Sequence, residues 1–135
     1  MSVRVVLADD HPMYRYGVTA ILEQSDEVHV AASVGDGDDL MAAVAEHVPD
    51  VVVTDLSMPG LDGVTACRRL VALQPDVAIL VLTMHEDDAH VFAALRAGAR
   101  GYLVKGADGE EITRAVLAVA GGDAVYGGSV APPPA

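Results

Sequence analysis

Cysteine is nearly absent from this sequence, since Cys67 is the only one among 135 residues. No disulfide can form within the chain, so its stability must come from an apolar core. Long apolar runs are also absent, and no stretch resembles a secretory leader or a segment able to span a bilayer. These absences predict a cytoplasmic protein without membrane association. A chain of this length is expected to form one domain that folds alone.

Basic residues are scarce as well. The chain has 8 Lys and Arg residues against 20 Asp and Glu residues, which gives a formal net charge of −12 at pH 7. Surfaces that bind nucleic acid neutralise phosphates with clustered Lys and Arg side chains, so this composition argues against direct DNA binding. The five histidines are scattered without cysteine partners or paired ligand spacing, which argues against a zinc site.

Strand-like apolar segments alternate with helix-like segments along the chain. The strands are predicted to begin near residues 3, 28, 51, 77 and 100, and apolar residues at helical spacing follow each of them. Five such units predict an α/β fold with a single five-stranded parallel sheet and five helices on both faces. Cys67 is expected to be a small core residue on the third helix rather than a reactive thiol. The Gly- and Pro-rich residues 122–135 are predicted to be a linker.

Polar side chains stand where these strands end. Asp9 and Asp10 end the first strand, Asp55 the third, Thr83 the fourth and Lys105 the fifth. The carboxyl ends of parallel strands lie at one edge of a sheet, where open α/β sheets bind their ligands. Crowded carboxylates repel one another unless a cation intervenes, and Mg²⁺ prefers such hard oxygen ligands. The carboxylates, the mobile cation of Lys105 and the hydroxyl of Thr83 together supply the groups needed for phosphoryl transfer to a carboxylate.

Four motifs follow one another in a recognisable order, each at the end of its own strand. They are Leu7-Ala8-Asp9-Asp10-His11, the segment from Asp55 to Gly63, Leu82-Thr83-Met84-His85, and the segment from Ala97 to Gly106. With these motifs in this order, the chain resembles a response-regulator receiver domain of two-component signalling, in the NarL/FixJ (LuxR-type) branch. The resemblance implies a flavodoxin-like doubly wound fold, with the receiver domain over residues 1–121 and the linker over residues 122–135. It also implies that DNA is reached only through a helix-turn-helix domain absent from this chain.

The resemblance implies a role for each residue near the proposed metal. Asp55 matches the phosphoacceptor, which takes a phosphoryl group from a sensor histidine kinase to form an acyl phosphate. Asp10 matches the direct Mg²⁺ ligand and Asp9 a neighbour that acts largely through water. Asp55 and the backbone carbonyl of Ser57 complete the protein ligands. A domain of this kind is not an enzyme beyond slow self-dephosphorylation.

The resemblance also implies a switch. Thr83 matches the hydroxyl that moves toward the phosphoryl oxygens, and Lys105 matches the cation that pairs with them. Tyr102 matches an aromatic residue that turns inward when Thr83 moves, although a static, half-buried aromatic side chain would explain Tyr102 equally well. Phosphorylation would then bias a bistable surface that controls homodimerisation or a partner domain.

Two positions depart from the family pattern. Gly106 follows Lys105 where many receivers have a proline, so a looser loop without a cis peptide is expected. Met84 follows Thr83 and is bulkier than the small residue often found there, which narrows access to the site. Ser57 and His85 occupy positions that influence the lifetime of the phosphoryl group in this family.

The sequence leaves alternatives open. One is a receiver-like interaction domain that works independently of phosphorylation. Another is an aspartate-nucleophile phosphatase, although such enzymes usually carry a second acid two residues after the nucleophile, where this chain has Ser57. At the level of single residues, Asp9 and Asp10 are also candidates for N-caps of the first helix.

Overall fold

Five strand–helix units and two further short strands make up the fold, in a computed structural model that describes residues 2–84, 89–127 and 129–131. In chain order the elements are β1 (Val3–Ala8), α1 (Pro12–Glu23), β2 (Val28–Val34), α2 (Gly37–His47), β3 (Val51–Asp55), α3 (Gly63–Leu73), β4 (Ala78–Thr83), α4 (Ala89–Ala97), β5 (Gly101–Val104), α5 (Gly109–Ala120), β6 (Ala124–Tyr126) and β7 (Ser129–Ala131). His85, the residue with an expected influence on phosphoryl lifetime, lies outside the described residues.

The strands form one sheet in the order β2-β1-β3-β4-β5-β6-β7. Every pairing from β2 to β6 is parallel, whereas β6 and β7 pair antiparallel. The strand order changes direction between β1 and β3, and doubly wound sheets bind their ligands at this kind of switch point. The predicted five-stranded parallel sheet is confirmed as β1 to β5.

The helices cover both faces of the sheet, as predicted. On one face, Leu7 of β1 packs in a cluster with Ile112 of α5 and with apolar residues of α1. On the other face, Val6 packs in a cluster with Leu40 of α2, Ala94 of α4 and apolar residues of α3. Strands buried on both faces need continuous apolar runs, which explains the composition of β1, β3 and β4. No helix within the described ranges is long and apolar enough to cross a bilayer.

The tail contains structure that the sequence prediction missed. Residues 122–135 were assigned to a linker, but β6 pairs with β5 and places Val125, only 1% exposed, in the core. Gly101 permits this close pairing, because a Cβ atom at residue 101 would overlap the Val125 carbonyl oxygen. Three-residue strands next to glycines carry too little periodicity to be recognised in the sequence. The domain boundary at residue 121 stays a prediction.

Cys67 lies on α3 with no exposed surface, which confirms that it is a core residue. Burial raises the pKa of its thiol from 9.0 to about 12, and the negative charge of Asp62 adds to the rise. Since the thiolate is the reactive form, we expect a disulfide reagent near pH 8 to react with the folded protein about 10³-fold more slowly than with the unfolded chain. Thiol titration with and without guanidinium chloride measures this ratio. Equal rates in the two conditions would place the side chain at the surface.

Candidate functional site

The structure brings five of the predicted site residues to the carboxyl edge of the sheet. Asp9 and Asp10 follow β1, Asp55 ends β3, Thr83 ends β4 and Lys105 follows β5. The alignment of β4 and β5 continues beyond β5, because the Lys105 N–H donates to the Thr83 carbonyl oxygen at 2.8 Å. Asp9 and Asp55 are only 0% and 5% exposed. Carboxylates buried to this extent are unfavourable unless hydrogen bonds or opposite charges compensate them.

Lys105 supplies the compensating charge. Its Nζ lies 2.8 Å from Oδ2 of Asp9 and 2.8 Å from Oδ2 of Asp55, so one ammonium group bridges two carboxylates. Burial by itself would lower the pKa of Lys105. Hydrogen bonds and electrostatic attraction from Asp55 and Asp9 outweigh burial and raise the pKa above its ordinary value. The ammonium group is therefore charged at neutral pH.

The Asp55 carboxylate is held at both of its oxygens. Oδ1 accepts a hydrogen bond of 3.0 Å from the Ser57 backbone N–H, and Oδ2 accepts one of 2.8 Å from Lys105 Nζ. The first contact is an Asx turn, in which an aspartate at a strand end bonds to the backbone two residues on. The Ser57 side chain is exposed, and the role of its carbonyl as a metal ligand stays a prediction.

Asp9, Asp10 and Asp55 form an acidic cluster together with His11. Each of the four offers a potential ligand atom, and these atoms all lie within 4.8 Å of one another. The His11 backbone N–H donates to Asp9 Oδ1 at 2.8 Å, while His11 Nδ1 lies 3.2 Å from Asp10 Oδ1. His11, not an aspartate, occupies the N-cap position of α1, which disfavours a capping role for Asp9 and Asp10. His11 was not predicted as part of the site, although its place directly after the Asp-Asp pair was a signal.

The acidic cluster is compatible with Mg²⁺. Three carboxylates provide the hard oxygen ligands that this ion prefers. Asp10 Oδ1 is buried, and its polar neighbour among the described residues is His11 Nδ1 at 3.2 Å. Buried carboxylate oxygens lose their hydration, and a cation at the cluster would supply positive charge that offsets this loss.

Thr83 and Tyr102 lie on the same face of the sheet, on neighbouring strands. Thr83 is 4% exposed. Tyr102 is paired with Val81, two residues before Thr83, and so lies diagonally across from Thr83. The half-buried Tyr102 ring packs against the cluster on the α2, α3 and α4 face. Its centroid lies 6.4 Å from that of Tyr126 on β6, a contact that was missed because β6 was missed.

A cavity of about 460 Å³ opens beside the bridging lysine and is lined by His11, Tyr14, Met84, Lys105 and Gly106. Lys105 Nζ lies over the Tyr14 ring, 5.0 Å from its centroid. Burial raises the pKa of Tyr14; the charge of Lys105 opposes this rise, while Asp9 and Asp55 add to it. Nothing in the sequence pattern indicated that Tyr14 contacts Lys105.

Comparisons with known proteins agree with this geometry. The family model described as the response regulator receiver domain matches residues 5–117. The transcriptional regulatory protein DegU of Brevibacillus brevis is 40% identical over 123 residues, which cover 91% of this chain and 52% of DegU. The signal receiver domain of NarL from Mycobacterium tuberculosis is similar in structure, with 37% identity and a TM-score of 0.86, covering 90% of this chain and 98% of that one.

A structure of two RcsB dimers bound to two parallel DNAs is also similar, with 31% identity and a TM-score of 0.81. The similarity covers 90% of this chain and 62% of the RcsB chain. The chain thus spans about half the length of the curated relatives that it matches.

Proposed function

The chain belongs to the response regulator receiver domain family, and on that premise we propose that it accepts a phosphoryl group on Asp55 from a sensor histidine kinase in a Mg²⁺-dependent reaction. The observation that carries this proposal is the position of the Lys105 ammonium group, 2.8 Å from a carboxylate oxygen of Asp55 at the acidic cluster. In this proposal the protein acts in the cytoplasm. It catalyses no reaction apart from the slow hydrolysis of its own phosphoryl group.

In the proposed reaction, an oxygen of Asp55 attacks the phosphorus of a phosphohistidine on the kinase. A P–O bond forms as the P–N bond breaks, and the leaving imidazole keeps the electron pair and takes up a proton. The Ser57 N–H holds Oδ1 of Asp55, so the attacking carboxylate has a fixed orientation. Lys105 turns from the carboxylate to the phosphoryl oxygens and stabilises their negative charge.

Asp9, Asp10, Asp55 and the Ser57 carbonyl would hold Mg²⁺, Asp9 largely through water. When bound, the ion supplies positive charge that offsets the repulsion between the carboxylates and the incoming phosphoryl group. Within this chain, Asp10 Oδ1 is buried at the acidic cluster, a position from which it would become a ligand.

Thr83 and Tyr102 are proposed to transmit the change. Thr83 would donate a hydrogen bond from its hydroxyl to a phosphoryl oxygen. The movement of Thr83 would leave space on the face of the sheet that it shares with Tyr102. The altered surface would then favour a homodimer or release an output domain. Transcription is the proposed output, through a DNA-binding helix-turn-helix domain beyond this chain, in keeping with DegU as a transcriptional regulatory protein and RcsB as a DNA-bound dimer.

Intact-mass spectrometry after incubation with acetyl phosphate tests the proposal. We expect a single, alkali-labile phosphoryl adduct in the presence of Mg²⁺ and none when the metal is chelated. A folded protein that gains no adduct from either acetyl phosphate or a histidine kinase would favour the phosphorylation-independent interaction domain. Rapid, repeated hydrolysis of phosphomonoesters would favour the phosphatase instead.

A further inference from the structure

We propose that Tyr14 is a positioning residue for Lys105, and that the face of its ring keeps the ammonium group beside Asp55. The inference rests on the proposed function, in which Lys105 must meet the phosphoryl oxygens. It assigns a role to a residue of α1 that lies outside the acidic cluster and the switch pair.

The first observation is the geometry of the ammonium group. Lys105 Nζ lies 2.8 Å from each of two carboxylate oxygens and 5.0 Å from the centroid of the Tyr14 ring. An ammonium group has three N–H donors, and the two aspartates constrain it from two sides only. The negative face of an aromatic ring within about 6 Å attracts a cation and blocks water from that side. Tyr14 therefore constrains the position of the ammonium group from a third side.

The second observation concerns what else holds Lys105 in place. A lysine side chain is a flexible four-carbon stem with a point charge at its end, so it needs external constraints to stay at one position. Gly106, the next residue, is exposed, and a Cβ atom added there would have no neighbour within 4 Å. The loop after β5 thus offers little support on that side. The cavity of about 460 Å³ beside Lys105 would otherwise give the side chain room to move.

The third observation is that Tyr14 itself is firmly placed. It lies in the first turn of α1, next to Arg15, whose Nη1 donates to the Asp9 carbonyl oxygen at 2.7 Å. That bond ties the start of α1 to the end of β1, which carries the acidic cluster. The Tyr14 hydroxyl has no hydrogen-bond partner among the described residues. The ring, rather than the hydroxyl, must then perform the positioning.

The experiment compares Tyr14→Phe, which keeps the ring, with Tyr14→Leu, which removes it. Tyr16→Leu is the matched control, because Tyr16 lies two residues further along α1 and is 70% exposed. Lys105 is the only lysine in the sequence. Labelling lysine with ¹⁵N at Nζ therefore gives one ammonium signal, and the exchange rate of its protons with water reports how well it is held. The second readout is the initial rate of adduct formation with acetyl phosphate and Mg²⁺.

We expect Tyr14→Leu to speed the exchange of the Lys105 ammonium protons and to slow adduct formation about tenfold. Tyr14→Phe should stay within about twofold of wild type in both readouts, as should the control. A Tyr14→Leu protein that keeps the slow exchange would overturn the proposal, and so would a Tyr14→Phe protein as impaired as Tyr14→Leu. If Tyr14→Leu does not fold, Tyr14→Met takes its place with a side chain closer in length.

The ammonium signal separates this inference from the proposed function. It is measured on the unphosphorylated protein, so it decides the role of Tyr14 even if wild type forms no adduct. In that case the phosphoacceptor assignment fails while the positioning of Lys105 by Tyr14 stands or falls by its own measurement.

Discussion

Replacing Asp55 with asparagine is expected to abolish phosphorylation and leave the domain folded. Asparagine has nearly the same shape, and its side-chain oxygen can still accept the hydrogen bond that the Ser57 N–H donates to Asp55 at 3.0 Å. Its neutral amide is a far weaker nucleophile than a carboxylate, so the attack on phosphorus is lost. Asp9 remains to pair with Lys105 at 2.8 Å, which limits the change in stability.

Intact-mass spectrometry with acetyl phosphate and Mg²⁺ measures this loss, and circular dichroism verifies the fold of the variant. Asp76→Asn provides the matched control, because Asp76 is exposed and precedes β4 at the opposite edge of the sheet. The control should gain an adduct at the wild-type rate. An adduct of wild-type yield on the Asp55→Asn protein would assign the phosphoacceptor to another residue and contradict the proposed function.

Much of the fold could be predicted because its signals are local. Helix α1 begins at Pro12, and proline suits the first position of a helix because its missing N–H has no intrahelical partner there. The strands β4 and β5 begin at residues 78 and 101, within one residue of the prediction. The strands β6 and β7 were missed because β6 is placed by pairing with β5, and β7 by pairing with β6, rather than by a pattern of their own. Strand pairing of this kind depends on tertiary contacts, which the residue pattern of a short segment does not predict.

The site was predictable to the extent that strand ends in a parallel sheet meet at one edge. That rule placed Asp9, Asp55 and Lys105 together, but it could not give the arrangement in which one ammonium group bridges two carboxylates. It also could not bring in Tyr14, which reaches Lys105 from a helix, or Tyr126, which reaches Tyr102 from the tail. Contacts between elements depend on helix packing and side-chain direction, and a single sequence states neither.

Replacing Lys105 with methionine is expected to lower the free energy of unfolding at pH 7 by about 3 kcal/mol. Methionine keeps the length of the stem and removes the charge, so Asp9 and Asp55 are left buried and facing each other. Breaking a buried ion pair by removing one partner costs about 3–5 kcal/mol, and the low end applies because the cavity gives water access to this site. Arg68→Met is the matched control, since Arg68 is exposed on α3 and its loss should change the free energy by less than about 0.5 kcal/mol.

The pH dependence of this difference identifies its electrostatic origin. The folded-state pKa of Lys105 lies above the ordinary value of 10.5, so the stabilisation is fully present below that pH and is lost as pH rises through the folded-state pKa. Wild type should therefore keep its advantage over Lys105→Met from neutral pH to about pH 10 and lose it above. Urea unfolding followed by circular dichroism across this range measures the difference, and one that did not vary with pH would mean that Lys105 stabilises the fold by packing rather than by charge.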